Sequence, residues 1–259
     1  MRYCFGVDVG GTTVKLGFFD EEGNLLEKWE IPTRTQDNGQ NILPDVAASI
    51  LDKMKEREVS REEIVGVGIG APGPIDAKGT VYVAVNLGWG TFSLKNELQS
   101  LLNLPVEAGN DANVAALGEM WKGGGQGYSN VVAVTLGTGV GGGIIVDGKI
   151  LSGATGAGGE IGHIHVMDGE TEACNCGNYG CLEQYTSATG IVRLAKRRLA
   201  EDDKPSVLRE SGNISAKTVF DAVKDGDELA VEVAERFGQI LGKTLAGIAA
   251  VVNPEIFVI

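Results

Sequence analysis

Two short turns in this chain combine glycine with threonine. The first is Asp8-Val9-Gly10-Gly11-Thr12-Thr13, at the end of an apolar run. Glycine lets a backbone point its N–H groups at an anion, and threonine hydroxyls add donors. Asp8 can hold Mg²⁺ through water. The same residues would also make an ordinary hairpin turn. The second is Leu136-Gly137-Thr138-Gly139-Val140-Gly141-Gly142-Gly143. It contains a formal G-x-G-x-x-G, but a dinucleotide fingerprint requires a helix next. Here Ile144-Ile145-Val146-Asp147-Gly148 follows, which reads as strand and hairpin. Gly66, Gly68 and Ala71 mimic the fingerprint too, and Pro72 and Pro74 deny them a helix. No G-x-x-x-x-G-K-S/T occurs, which excludes a P-loop enzyme. Two glycine-threonine turns facing across a cleft would grip a triphosphate from both sides.

A third site is Asn110-Asp111. Phosphoryl transfer to a hydroxyl needs a carboxylate to accept the proton and orient the oxygen in line. Asp111 sits at a strand-to-helix junction, where it can present that carboxylate or serve as a plain N-cap.

A fourth site joins Glu160-Ile161-Gly162-His163 to Cys174, Cys176, Cys181 and Glu183. Three thiolates and one imidazole suit tetrahedral zinc, and a closed ligand set implies a structural metal. Both histidines of the chain lie here, His163 and His165. In a strand they would point the same way, so spacing leaves the choice open. Cys4 stands apart and reads as a buried strand cysteine. Asn86-Leu87-Gly88-Trp89 offers an amide beside an aromatic, which fits a sugar pocket or plain core packing of Trp89.

The elements that must position these residues follow from periodicity. Residues 3–8, 14–19 and 25–31 read as an antiparallel meander. Ile42, Val46, Ile50 and Met54 mark an amphipathic helix over 41–56. A strand over 64–70, a helix over 94–102 and a strand over 106–108 follow. Asn110 or Asp111 can then cap a helix running to about Trp121. The plan restarts with strands at 131–136 and 142–146 and a hairpin turn at Asp147-Gly148. The half-hidden repeat predicts two related lobes, 1–118 and 119–259, with a cleft between them. A helix spans 228–252, Pro254 stops it, and an apolar strand begins at 255–259. A chain rarely stops inside a buried strand, so a missing C-terminal segment is expected.

With 259 residues, 43% of them hydrophobic, the chain can bury a sizeable core. Its 39 glycines cluster between apolar runs, where tight turns and close ligand approach need them. A net charge of −13 repels nucleic acid and acidic membranes. No run reaches membrane-spanning length and the N-terminus lacks a signal-peptide layout, so a cytoplasmic protein is expected.

Taken together, these residues resemble the ROK family of sugar kinases and sugar-responsive repressors, particularly its bacterial glucokinases. The likeness rests on Asp8-x-Gly-Gly-Thr12, Gly70-x-Pro-Gly-Pro74, Asn110-Asp111-Ala-Asn113, Leu136-Gly-Thr-Gly-x-Gly-Gly143, Glu160-x-Gly-His163 and Cys174-x-Cys-Gly-x-x-Gly-Cys181-x-Glu183. It runs from the first residue to the last. The resemblance implies an α/β actin-like ATPase fold of two ribonuclease H-like lobes. It implies an ATP-dependent kinase acting on the 6-hydroxyl of a hexose, with glucose ranked first. Fructose, mannose, allose and N-acetylmannosamine are the alternatives.

The resemblance also assigns roles. Asp111 is the expected general base. Asn110, Glu160, His163 and Glu183 bind the other sugar hydroxyls, with Gly73 and Asn86 nearby. Asp8, Gly10, Gly11, Thr12, Thr13, Lys15, Gly137, Thr138 and Gly139 form the expected phosphate set. His163, rather than His165, completes the zinc set with Cys174, Cys176 and Cys181. ATP, Mg²⁺ and a structural Zn²⁺ are the expected small partners, and a homodimer the expected assembly. Family members continue beyond residue 259 into segments that hold the adenosine. Two other readings are a sugar-sensing regulator and an inactive fragment. Regulators of this family carry a helix-turn-helix domain before the first turn, whereas seven residues precede Asp8 here.

Overall fold

The computed structural model describes residues 2–259, and the chain folds as two compact units. One comprises Met1–Gly118 with Ile150–Gly158, the other Glu119–Lys149 with Gly159–Ile259.

The first unit is built on a five-stranded sheet. Its strands are β1 (Tyr3–Val9), β2 (Thr13–Asp20), β3 (Leu25–Pro32), β4 (Ile64–Ala71) and β7 (Val106–Asn110). Their order is β3-β2-β1-β4-β7. The first three form the antiparallel meander read from the sequence, whereas β1, β4 and β7 run parallel. Parallel neighbours need a crossover. Helix α1 (Ile42–Glu56) lies between β3 and β4 in sequence, and α2 (Leu94–Leu102) precedes β7. The α1 stripe of Ile42, Val46, Ile50 and Met54 is buried in one core with Phe5, Val7, Leu16 and Ile69. Burial of each such side chain contributes about 1.5–3 kcal/mol. A small hairpin, β5 (Thr80–Val81) with β6 (Phe92–Ser93), completes this part. Cys4 is only half-buried in β1, because it lies in a row of alternating exposure rather than on the core face.

Helix α3 (Asp111–Lys122) crosses from the first unit into the second. The second unit holds β8 (Val131–Leu136), β9 (Val140–Val146), the start of the hairpin strand β10 (Lys149–Ile150) and β11 (Ile256–Val258). Their order is β10-β9-β8-β11. The turn into β10 takes positive φ at both Asp147 and Gly148, which suits a tight hairpin. β8 pairs antiparallel with β9 and parallel with β11, as β1 pairs with β2 and β4. The repeat is therefore real at the level of strand order.

The remaining helices are α4 (Glu183–Thr186), α5 (Ala188–Glu201), α6 (Val207–Glu210), α7 (Ala216–Lys224) and α8 (Glu228–Val252). Asp227 caps α8 through the Ala230 N–H at 2.9 Å, and Asn253 ends it in the left-handed region before Pro254. Ile240 and Ile248 of α8 pack with Val132, Val134 and Ile144 of the sheet. Among the described residues, no helix is long and apolar enough to cross a membrane.

Candidate active site

In the first unit the candidate residues collect where β1, β4 and β7 end. The register pairs Asp8 with Gly70 and Gly70 with Gly109, so the chain reaches Asp111 just beyond the sheet edge. In open α/β sheets this carboxyl end of parallel strands is where ligands bind. Asp8 is exposed between buried Val7 and Val9, and Lys15, its cross-strand neighbour on β2, is exposed between buried Val14 and Leu16. Both side chains therefore leave the sheet on the same face.

The turn between β1 and β2 is closed by the Gly10 N–H on the Thr13 carbonyl at 3.0 Å. A Cβ on Gly10 would lie 2.8 Å from that carbonyl oxygen, so only glycine fits. Thr33 holds the turn from outside. Its hydroxyl donates to the Gly10 carbonyl at 2.7 Å and its N–H to the Thr12 carbonyl at 2.9 Å. The exposed Gly11 and Thr12 form the rim.

Asn110 resolves the capping question. Its Oδ1 accepts the Asn113 N–H at 3.2 Å, and its Nδ2 donates to the Gly73 carbonyl at 3.1 Å. Asn110 is thus the cap of α3 and is buried. Asp111 accepts the Ala112 N–H, at 2.8 Å on Oδ1, and stays open to solvent. Surrounding protein raises the Asp111 carboxyl above the usual aspartate range, and the Asp8 charge adds to that rise. Gly73 has φ +90°, and a Cβ there would lie 2.2 Å from the Val83 carbonyl oxygen.

Asn86 is exposed on a single 3₁₀ turn, Val85–Leu87, over buried Leu87. Trp89 is a core residue: it is 6% exposed, packs edge-on against Phe92 and donates to the Gly39 carbonyl at 3.2 Å. Of the two roles open to Trp89, packing is the one observed.

In the second unit the turn between β8 and β9 is closed by the Gly137 N–H on the Gly139 carbonyl at 3.0 Å. The start of α5 holds it: the Ala188 N–H donates to the Gly137 carbonyl at 2.8 Å and the Thr189 hydroxyl to the Thr138 carbonyl at 2.9 Å. Both turns therefore have carbonyls tied to a neighbouring segment. Thr33, Ala188 and Thr189 were invisible to motif reading. The Ser187-x-x-Gly190 cap, with Ser187 Oγ accepting the Gly190 N–H at 2.9 Å, was the available signal.

The two histidines diverge. His163 ends a 3₁₀ turn, Ile161–His163, rather than lying in a strand, so the two rings need not share a face. His163, Cys174, Cys176 and Cys181 have ligand atoms all within 4.8 Å of one another. The Cys176 and Cys181 sulfurs are 3.7 Å apart, and Cys174 Sγ is 3.8 Å from His163 Nδ1. Thiolates about 2.3 Å from a tetrahedral zinc lie roughly 3.8 Å apart, so the donor set fits that ion. His165 instead has Nδ1 2.9 Å from the Tyr179 carbonyl and Nε2 3.0 Å from Asp168. Burial pushes the Cys174 and Cys181 thiols up.

Glu183 opens α4 and links the cluster to the turn. Its Oε1 accepts from Cys174 Sγ at 2.9 Å and lies 3.7 Å from His163 Nδ1. A Cβ on Gly139 would meet Glu183 Oε2 at 2.7 Å. Glu160 immediately precedes the His163 turn and is exposed.

Comparison with known proteins defines the class. Residues 4–259 match the model of the ROK family, and the chain belongs to that family. It is 45% identical over 262 residues to a glucokinase of Halalkalibacterium halodurans, covering 100% of this chain and 79% of the relative. A glucokinase of Streptomyces coelicolor is 38% identical, over 100% of this chain and 81% of its own. Among solved structures, a ROK glucokinase of Streptomyces griseus in complex with glucose and AMPPNP superimposes with a TM-score of 0.75 at 35% identity, covering 98% of this chain and 81% of that one. The fold is the α/β actin-like ATPase fold that the resemblance implied.

Proposed function

We propose that this chain transfers the γ-phosphoryl group of ATP to the 6-hydroxyl of glucose, with Asp111 as the base. The phosphotransferase activity follows from likeness to glucokinases that spans this chain and about four fifths of each relative. The observation that supports the Asp111 assignment is the division of labour at the α3 start: Asn110 supplies the cap to the Asn113 N–H, while the Asp111 carboxylate, which accepts the adjacent Ala112 N–H, stays exposed at the end of the sheet.

The residues then take these roles. Asp111 accepts the proton of the sugar 6-hydroxyl as that oxygen attacks the γ-phosphorus and ADP leaves. Its raised carboxyl brings its basicity nearer to neutral pH. Asn110, Glu160, His163 and Glu183 orient the other hydroxyls, with Gly73 and Asn86 beside them. The rims Gly10–Thr13 and Gly137–Gly139, with Lys15, hold phosphate oxygens. Mg²⁺, when bound with the nucleotide, neutralises phosphate charge, and Asp8 would hold it through water. Zinc, when bound by His163, Cys174, Cys176 and Cys181, fixes the His163 ring. The Nδ1 side faces Cys174, which supports Nδ1 as the zinc ligand and Nε2 as the sugar-facing donor. The same family likeness supports a homodimer, which light scattering tests.

The test is ADP release with Mg-ATP across free hexoses, with glucose 6-phosphate identified as product. Glucose should give the highest kcat/KM. A higher value for fructose, mannose or N-acetylmannosamine would reassign the substrate.

A further inference from the structure

Glu170 is a buried, multiply paired charge in the second unit, and nothing in the proposed phosphoryl transfer uses it. Its side chain is 1% exposed. Arg197 grips it bidentately, Nη1 to Oε2 and Nη2 to Oε1, both at 2.9 Å. Arg193 Nη2 lies 2.7 Å from Oε2, and the Tyr185 hydroxyl donates to the same oxygen. The Thr171 and Glu172 N–H groups close on Oε1 at 2.8 and 2.9 Å. These partners come from two places: Thr171 and Glu172 lie on the segment leading to Cys174, and Tyr185, Arg193 and Arg197 lie on α4 and α5.

Further bonds run between the same two places. Arg193 Nε meets Glu172 at 2.6 Å. Gln184 donates from Nε2 to the Glu172 carbonyl at 2.9 Å, and its Oε1 accepts the Cys181 N–H at 3.0 Å. Gln184 and Tyr185 directly follow Glu183. The Arg193 guanidinium also lies over the Tyr185 ring, 5.5 Å from its centroid. Arg193 Nη2 pairs with Oε2 by charge rather than by an aligned hydrogen bond. A buried carboxylate with this many partners is costly to leave half-paired.

We infer that Glu170 is a positioning residue: it locks the cysteine-bearing segment onto α4 and α5, and so fixes Glu183 and the His163 cluster relative to each other. The inference rests on the sugar and zinc reading above. It assigns the Glu170 cluster to the sugar half of the site. The phosphate turn at 137–139 has its own tether, through Ala188 and Thr189.

The test uses the full chain loaded with zinc. Glu170→Gln keeps the shape and removes the charge. It should speed zinc release to a chromogenic chelator about tenfold and raise KM for glucose about tenfold, as loss of an outer-shell partner does. KM for ATP should stay within about twofold of wild type. Arg197→Lys keeps a charge and loses the bidentate grip, so it should give the same pattern more weakly, and it serves if Glu170→Gln does not fold. Wild-type release rates and unchanged glucose KM in both variants would overturn the inference, as would equal rises in both KM values. A wild-type chain that takes up no zinc would overturn the zinc reading and this inference together.

Discussion

Asn110 donates its side-chain amide to the Gly73 carbonyl, 3.1 Å away, while its amide oxygen caps α3. One residue thereby ties the loop after β4 to the helix that begins with Asp111. Asp111, the base in the proposed reaction, thus follows a neighbour that is itself fixed at both ends. This explains how a helix start, usually satisfied by its own acidic residue, can spare Asp111 for chemistry.

The first prediction concerns pH. Asp111 must be ionised to accept a proton, so activity should fall as pH drops through its pKa. That acid limb of kcat/KM should lie above the ordinary aspartate value of about 3.9. Partial desolvation by the surrounding protein is the larger cause of the rise and the Asp8 charge a smaller one, although the side chain still reaches solvent. Asp8→Asn should therefore move the limb to lower pH while also lowering kcat. A pH–rate profile of both proteins checks the sign.

Metal removal is the second. Chelation, or Cys176→Ser, should strip zinc and weaken glucose binding by about 10–100-fold. Affinity for ATP should change little. Titration calorimetry with each ligand, beside measured zinc content, separates the two effects.

Two glycines of one strand region give a third, contrasting pair. Gly139→Ala would press on Glu183 Oε2, the far end of a flexible side chain. It should raise KM for glucose about tenfold, roughly 1.4 kcal/mol, with little change in Tm. Gly142→Ala would instead meet the Gly159 carbonyl at 2.7 Å and Ile161 at 2.5 Å. Overpacking there should cost about 1–3 kcal/mol of stability, read by denaturant unfolding.

Much of this was legible in the chain. The glycine-threonine turns, the meander and α8 declare themselves because period and punctuation agree. Spacing alone did not choose between His163 and His165, because alternation assumes a strand and the segment forms a 3₁₀ turn; the family resemblance pointed to His163, the one that lies with the cysteines. The tethers from Thr33 and Thr189 were hidden for another reason. They join residues 23 and 51 positions apart, and no local pattern encodes such a contact. Glu170 lay unseen among ordinary surface-type charges, since only folding brings Arg193 and Arg197 onto it. Trp89 shows another limit: an aromatic beside an amide fitted a pocket or the core equally, and only the fold shows its ring in the core.

The most direct test of the account is Asp111→Asn, which keeps the Asn110 cap and the fold while removing the base. Turnover with Mg-ATP and glucose should fall by about 10²–10⁴-fold. The dissociation constant for glucose should change by less than about tenfold. A variant that keeps near-normal turnover, or that loses glucose binding as severely as turnover, would contradict Asp111 as the base.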